Sequence, residues 1–220
     1  MARQWRHLKV LKRSGRGHDP AGVAETKEGS CAVLCPACPD PERNLPVDWE
    51  EISKFKRFLY ALFLAIDANF RSYSQELYFW KSSCSSHNAV NMADTKSSKG
   101  LAATGVGTVE CARHNFKRPC RTGDLQVSEK YVNMDYMFFS TVRSTGLKVL
   151  KVSYDIACQW HKGLWGRMEN LPEGFQLDHE AMDVTFLVPK FHLPAHITAC
   201  QIYRIVPVVS PLSYSECGIG

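Results

Sequence analysis

The stretch KFKRFLYALFLAIDANF, Lys54 to Phe70, decides how the chain is read. Its uncharged apolar run, Phe58 to Ile66, has the length and composition of a buried helix. It also stops abruptly at Asp67 and Asn69, as a central strand does, and the strand reading is favoured. A second stretch has the same design: LKVLKVSYDIACQW, residues 147–160, is rich in Val, Leu and Ile with partial alternation and carries Asp155 near its end. If the two strands are central and parallel neighbours in one sheet, both carboxylates emerge at the same sheet end, where open sheets place their sites. Paired carboxylates there suit Mg²⁺, a hard cation that takes oxygen ligands. Two such ions clamp the attacking and leaving oxygens of a phosphoryl transfer. An aspartate after a strand is also a common turn former or helix cap.

Working outward, Ser128 to Arg143 is a helix candidate, with Tyr131, Met134, Met137, Phe138 and Val142 at helical spacing. GLAATGVGTVECARH, residues 100–114, reads as a glycine-punctuated strand or hairpin, and a turn is expected around Gly123. Val184 to Ile197 reads as a strand pair broken by prolines. In CAVLCPACPDPERNLPVDW, residues 31–49, four prolines after Leu34 exclude helix and favour a rigid knuckle. The class expected is α/β.

Apolar residues make up 45% of the 220, which excludes wholesale disorder and supplies a core. No uncharged apolar run approaches the roughly 20 residues that span a bilayer, and no secretory signal interrupts the basic start, so a soluble chain is expected. The net charge of +5 is local. Arg3, Arg6, Lys9, Lys12, Arg13 and Arg16 precede the first acid, leaving 21 basic against 22 acidic residues elsewhere. Such an arm suits a polyanion such as DNA, and it equally reads as a solvated terminus.

Nine cysteines with no leader toward an oxidising compartment point to metal rather than disulfides. Cys35 with Cys38, Cys84 with His87, and Cys111 with His114 are each separated by two residues, a spacing at which one turn presents two ligands to one zinc ion. Cys158 and His161 share it as a weaker candidate, able to complete a zinc site or merely to follow the strand. His192 and His196, flanked by Pro189 and Pro194, read as structural strand or loop residues. The glycines at 105–107 lack the Lys and Ser/Thr of a phosphate loop, and no Ser-His-Asp arrangement is supported.

Several blocks together resemble the KDZ (Kyakuja, Dileera and Zisupton) transposases, DNA transposons expanded in basidiomycete fungi. These are RHLKVLKRSGRGHDPAGV, CPACP with NLPVDW, YALFLAIDANFR, MADTKSSKGLAATGVGTVECARHNFKRP, YVNMDYMFFS, VSYDIACQW and FLVPKFHLPAHITACQ. The resemblance runs from about Arg6 to Gln201. It implies a basic arm and the end of a cysteine-cluster domain over residues 1–50, and a partial RNase H-like (DDE transposase) core with zinc-knuckle insertions over 51–201. Residues 202–220 form a divergent tail.

By this resemblance Asp67 and Asp155 match the first two catalytic acids, binding Mg²⁺ or Mn²⁺, and Asp135 in NMDY is a rival for one place. The pairs Cys84–His87 and Cys111–His114 fall between the acids and would brace an insertion by structural zinc. The resemblance further implies a longer segment than the 13 residues from Arg71 to Ser83, and a third acid on a helix beyond HITACQ in a motif that Glu216 lacks. The chain is therefore expected to be a truncated or degenerate transposase copy, nuclear and DNA-binding through its arm, a candidate homo-oligomer, and inactive in strand transfer for want of that acid. The alternative is a non-catalytic, zinc-stabilised DNA-binding protein.

Overall fold

The computed structural model describes residues 2–18, 20, 25–27, 29–70, 103, 105–125, 130–198 and 200–201. Its centre is a five-stranded mixed sheet in the order β3-β2-β1-β4-β5, formed by β1 (Leu62–Phe70), β2 (Gly105–Cys111), β3 (Lys117–Leu125), β4 (Val149–Tyr154) and β5 (Asp183–Leu187). β1 to β3 form an antiparallel meander. β4 then returns to the other side of β1, parallel to it, and β5 lies parallel to β4.

The run expected as a strand divides in two. Lys54–Tyr60 forms 3₁₀ turns, and the strand occupies Leu62–Phe70, continuing through Asp67 and Asn69 instead of ending there. The reason is pairing: Asp67 sits opposite Thr108 and Asn69 opposite Val106, so the β2 ladder carries the strand past the point at which its apolar run stops. Leu62, Leu64 and Ile66 are buried, while the intervening Phe63 and Ala65 are half-buried and Asp67 is exposed, the alternation of a strand whose two faces differ.

β3 replaces the turn expected around Gly123. Pro119 is tolerated because β3 is an edge strand, and the irregular register between Thr108 and Glu110, with Cys120 at φ 54°, marks a bulge. Gly123 pairs with Gly107, and the two glycines open a shallow seat on the sheet. Helix α2 (Tyr131–Val142) fills it: a Cβ at Gly123 would stand 3.1 Å from the Met137 sulfur, and one at Gly107 would collide with the Met137 methyl. Met134, Met137, Phe138 and Val142 are buried at the spacing read from the sequence.

Beyond β4 come two short helices, α3 (Ala157–Trp160) and α4 (Leu164–Met168). Trp160 is fully buried and meets Phe138, Tyr154 and Phe186 edge-to-face at 5.3, 5.4 and 5.7 Å, joining helix, sheet and edge strand in one aromatic cluster. Val184 to Ile197 holds one strand, β5, followed by a 3₁₀ turn at Leu193–Ala195, because Pro189 and Pro194 prevent a second ladder.

The N-terminal residues form a helix, α1 (Ala2–Arg13), where a bare arm is the simpler expectation. Gly15, at φ 76°, terminates it: the Arg16 N–H donates to Leu11 O and the Gly15 N–H to Lys12 O, a left-handed cap that glycine adopts without strain. No helix among the described residues is long and apolar enough to cross a membrane.

Candidate functional site

Two parallel strands set the geometry of the acids. In the β1–β4 ladder the last pair is Ile66 with Tyr154, so Asp67 and Asp155 each follow the same rung on neighbouring strands running in the same direction. Asp155 therefore leaves the end of β4 beside Asp67, where β1 continues along β2 alone. Asp67 is exposed and Asp155 half-buried. The Asp155 Oδ1 accepts the Ile156 N–H at 2.8 Å, which stations the carboxylate at the turn from β4 into α3. Both groups are hard oxygen donors, the chemistry that a divalent Mg²⁺ or Mn²⁺ takes. Among the described residues no third carboxylate, imidazole or thiol forms a metal-sized group with them.

Asp135, the rival acid, is built into the interior. It is 2% exposed, accepts the indole N–H of Trp160 at 2.7 Å, and takes two N–H groups of Arg167, at 2.6 Å from Nε and 3.1 Å from the terminal nitrogen. Burial pushes its carboxyl above the ordinary aspartate range, and the hydrogen bonds and charge of Arg167 together with the Trp160 indole pull it back. With its oxygens committed to an indole and a guanidinium, Asp135 locks α2 to α3 and α4.

The sulfur and imidazole ligands gather elsewhere. Cys35, Cys38, Cys111 and His114 bring their ligand atoms within 4.8 Å of one another. Cys35 Sγ lies 3.3 Å from His114 Nδ1, Cys38 Sγ 3.3 Å from Cys111 Sγ, and Cys111 Sγ 3.4 Å from His114 Nδ1. A zinc tetrahedron with bonds of about 2.3 Å has edges of about 3.8 Å, so small outward shifts of the four atoms would admit the ion. This cluster could hold a metal such as zinc.

Each half of the cluster is prepared locally. In the knuckle, the Asn44 side-chain amide donates to Pro36 O at 3.2 Å and Cys38 O at 2.8 Å, and Asp40 Oδ1 accepts the Glu42 N–H, so the Pro-rich segment is tied into one rigid loop. In the β2–β3 connection, Asn115 takes φ 55°, a left-handed conformation that Asn tolerates, and the Cys111 N–H bonds Phe116 O across the turn. Cys38 donates to Cys111. That bond, with the backbone N–H groups of Arg113 and His114 and the imidazole of His114, lowers the Cys111 thiol to about 4. The same partnership, with burial, pushes Cys38 well above the usual thiol range.

Cys111 and His114 thus lie with the N-terminal knuckle. Cys84 and His87, the pair expected to brace an insertion, lie outside the described residues. Spacing within each pair was readable, but the partner across the cluster is 73 residues away and is chosen by the fold. A second group, missed by spacing, unites Cys158, His196 and Cys200. His161, at the two-residue spacing from Cys158, is not in that group, and its Nδ1 lies 2.8 Å from Ala157 O.

The family model of the Kyakuja-Dileera-Zisupton transposases matches residues 68–210, spanning β2 to β5 and reaching past Ile202. No curated protein and no solved structure matches the chain. With well over half of its length matched, the chain belongs to the Kyakuja-Dileera-Zisupton (KDZ) transposase family.

Proposed function

We propose that the chain carries the first two acids of an RNase H-like DDE transposase core, with Asp67 and Asp155 as the residues that hold Mg²⁺ or Mn²⁺ for cutting DNA. One observation carries this reading: the parallel Ile66–Tyr154 rung, immediately after which both aspartates follow on adjacent strands running in the same direction. The sheet order β3-β2-β1-β4-β5, with three antiparallel strands followed by two parallel ones, supports the RNase H-like assignment. Divalent ions bound there would activate a water nucleophile and neutralise charge on the phosphate being cut. The aspartates would orient that chemistry, Asp155 from a turn pinned by its own backbone contact and Asp67 from inside a paired strand.

Activity is proposed to be weak, since no third acid joins the pair among the described residues. Losing one electrostatic group from a catalytic site commonly costs about 10²- to 10³-fold in rate. Strand transfer is expected to be absent, with Mn²⁺-dependent nicking of a supercoiled plasmid as the residual activity. Nicking that disappears in Asp67→Asn and in Asp155→Asn supports the proposal. Nicking that survives both substitutions refutes it.

A second reading is favoured by the four-ligand cluster: a zinc-stabilised DNA-binding protein without catalysis. It predicts salt-sensitive DNA binding through the basic N-terminal segment, a nuclear location, and no cleavage under any divalent metal. Sedimentation of the DNA complex would also report whether two chains assemble on one duplex.

A further inference from the structure

We propose that Cys158, His196 and Cys200 form a second soft-metal site, of the kind that takes zinc, which fastens the segment after β5 to the turn carrying Asp155. The three ligand atoms lie within 4.8 Å of one another, and Cys158 Sγ is 3.5 Å from His196 Nδ1. Cys158 and His196 are each 4% exposed, whereas Cys200 is half-buried, so the cluster is closed on the protein side and approachable from one edge.

The three ligands come from two separate stretches. Cys158 lies in α3, three residues beyond Asp155. His196 closes the 3₁₀ turn Leu193–Ala195, and Cys200 follows one helical turn later, its N–H donating to Ile197 O at 2.9 Å. Gln201 holds that turn in shape by donating its side-chain amide to Leu193 O and His196 O, at 2.9 and 2.6 Å. The turn that carries His196 and Cys200 is thus shaped by backbone and Gln201 hydrogen bonds that leave the His196 imidazole and the Cys200 thiol out of its scaffold.

Chemistry selects the occupant. Two thiols and one imidazole are soft and borderline donors, a set suited to zinc and poorly suited to Mg²⁺. The site would therefore fill without competing for the hard ion proposed at Asp67 and Asp155. Three protein ligands leave one tetrahedral corner, reached from the Cys200 side, for water or another donor. Because Cys158 lies in the first turn of α3, three residues beyond Asp155, the ion would act as a positioning device for the acid. The metal-site proposal itself does not depend on Asp155 being catalytic.

Two measurements test it on the full chain. In the first, bound zinc is counted by atomic emission after exhaustive dialysis. Cys200→Ser should lose about one ion per chain relative to the unsubstituted protein, Cys35→Ser should lose a different one, and the double variant should lose both. An unchanged count in Cys200→Ser overturns the proposal. The second needs no substitution and so decides the matter if Cys200→Ser fails to fold. Alkylation of Cys200 in the native chain, followed residue by residue by mass spectrometry, should slow on adding zinc and recover with a chelator, while the half-buried Cys31 serves as the internal reference. Alkylation of Cys200 that ignores zinc overturns the proposal.

Discussion

Asp135 illustrates how much a single buried charge can decide. Its carboxylate satisfies the Trp160 indole and two nitrogens of Arg167, and removing it strands the buried indole N–H and strips the guanidinium of its charge partner. Asp135→Ala is expected to cost about 3–5 kcal/mol, the range for breaking a buried ion pair on one side, and to shift Trp160 fluorescence at the same denaturant concentration. A urea melt with both readouts checks it, and an unchanged midpoint refutes the role. Sequence alone left Asp135 as a competitor for a metal because NMDY shows an acid on a helix and hides its partner 32 residues on. Cys38 and Cys111 make the same point for pH. Their shared hydrogen bond pushes Cys38 up and Cys111 down, so the pair tends to hold one proton between its sulfurs, yet a metal needs both bare. Metal loading should therefore expel at least one proton, and zinc affinity should fall about tenfold per unit of decreasing pH for each proton expelled. Competition titrations between pH 8 and 6 measure that slope; a flat profile contradicts it.

At the scale of elements, the seat for α2 is the feature with the clearest consequence. Gly107 and Gly123 pair across β2 and β3, directly under Met137. Gly107→Val should overpack this layer and destabilise the protein by about 1–3 kcal/mol, even though valine is the better strand former, because Met134 and Met137 are both buried and have little room to yield. Thermal unfolding decides: a rise in midpoint would mean that propensity outweighs packing. The elements differ in how much of them the sequence discloses. α2 and β4 are legible from spacing and apolar content. β3 is not, since Pro119 and Gly123 are turn residues in most settings and become strand residues here through an edge position, a bulge and a helix that requires the missing side chain. The end of β1 was misplaced for a related reason, because a strand persists as long as its neighbour pairs with it, whatever the polarity of its last residues.

Over the whole molecule, two kinds of candidate ligand are separated by hardness and by place. Asp67, within β1, and Asp155, just past the end of β4, follow the Ile66–Tyr154 rung, while the four-ligand sulfur and imidazole cluster sits at the far end of β2, where Cys111 pairs with Leu64 near the beginning of β1. The alignment of Asp67 with Asp155 was legible because both acids follow similar apolar runs. The union of Cys35 and Cys38 with Cys111 and His114 was not, since nothing local in either pair specifies its partner.

The meander has one further consequence, for the length of the β1–β2 connection. Phe70 and Gly105 face each other across the ladder, so whatever chain runs between them begins and ends at one closed rung. Each doubling of such a loop adds only about 0.6 kcal/mol of closure entropy. Insertions or deletions between these two residues carry little thermodynamic penalty, so the connection can lengthen or shorten while Asp67, three residues inside the rung, keeps its place beside β4.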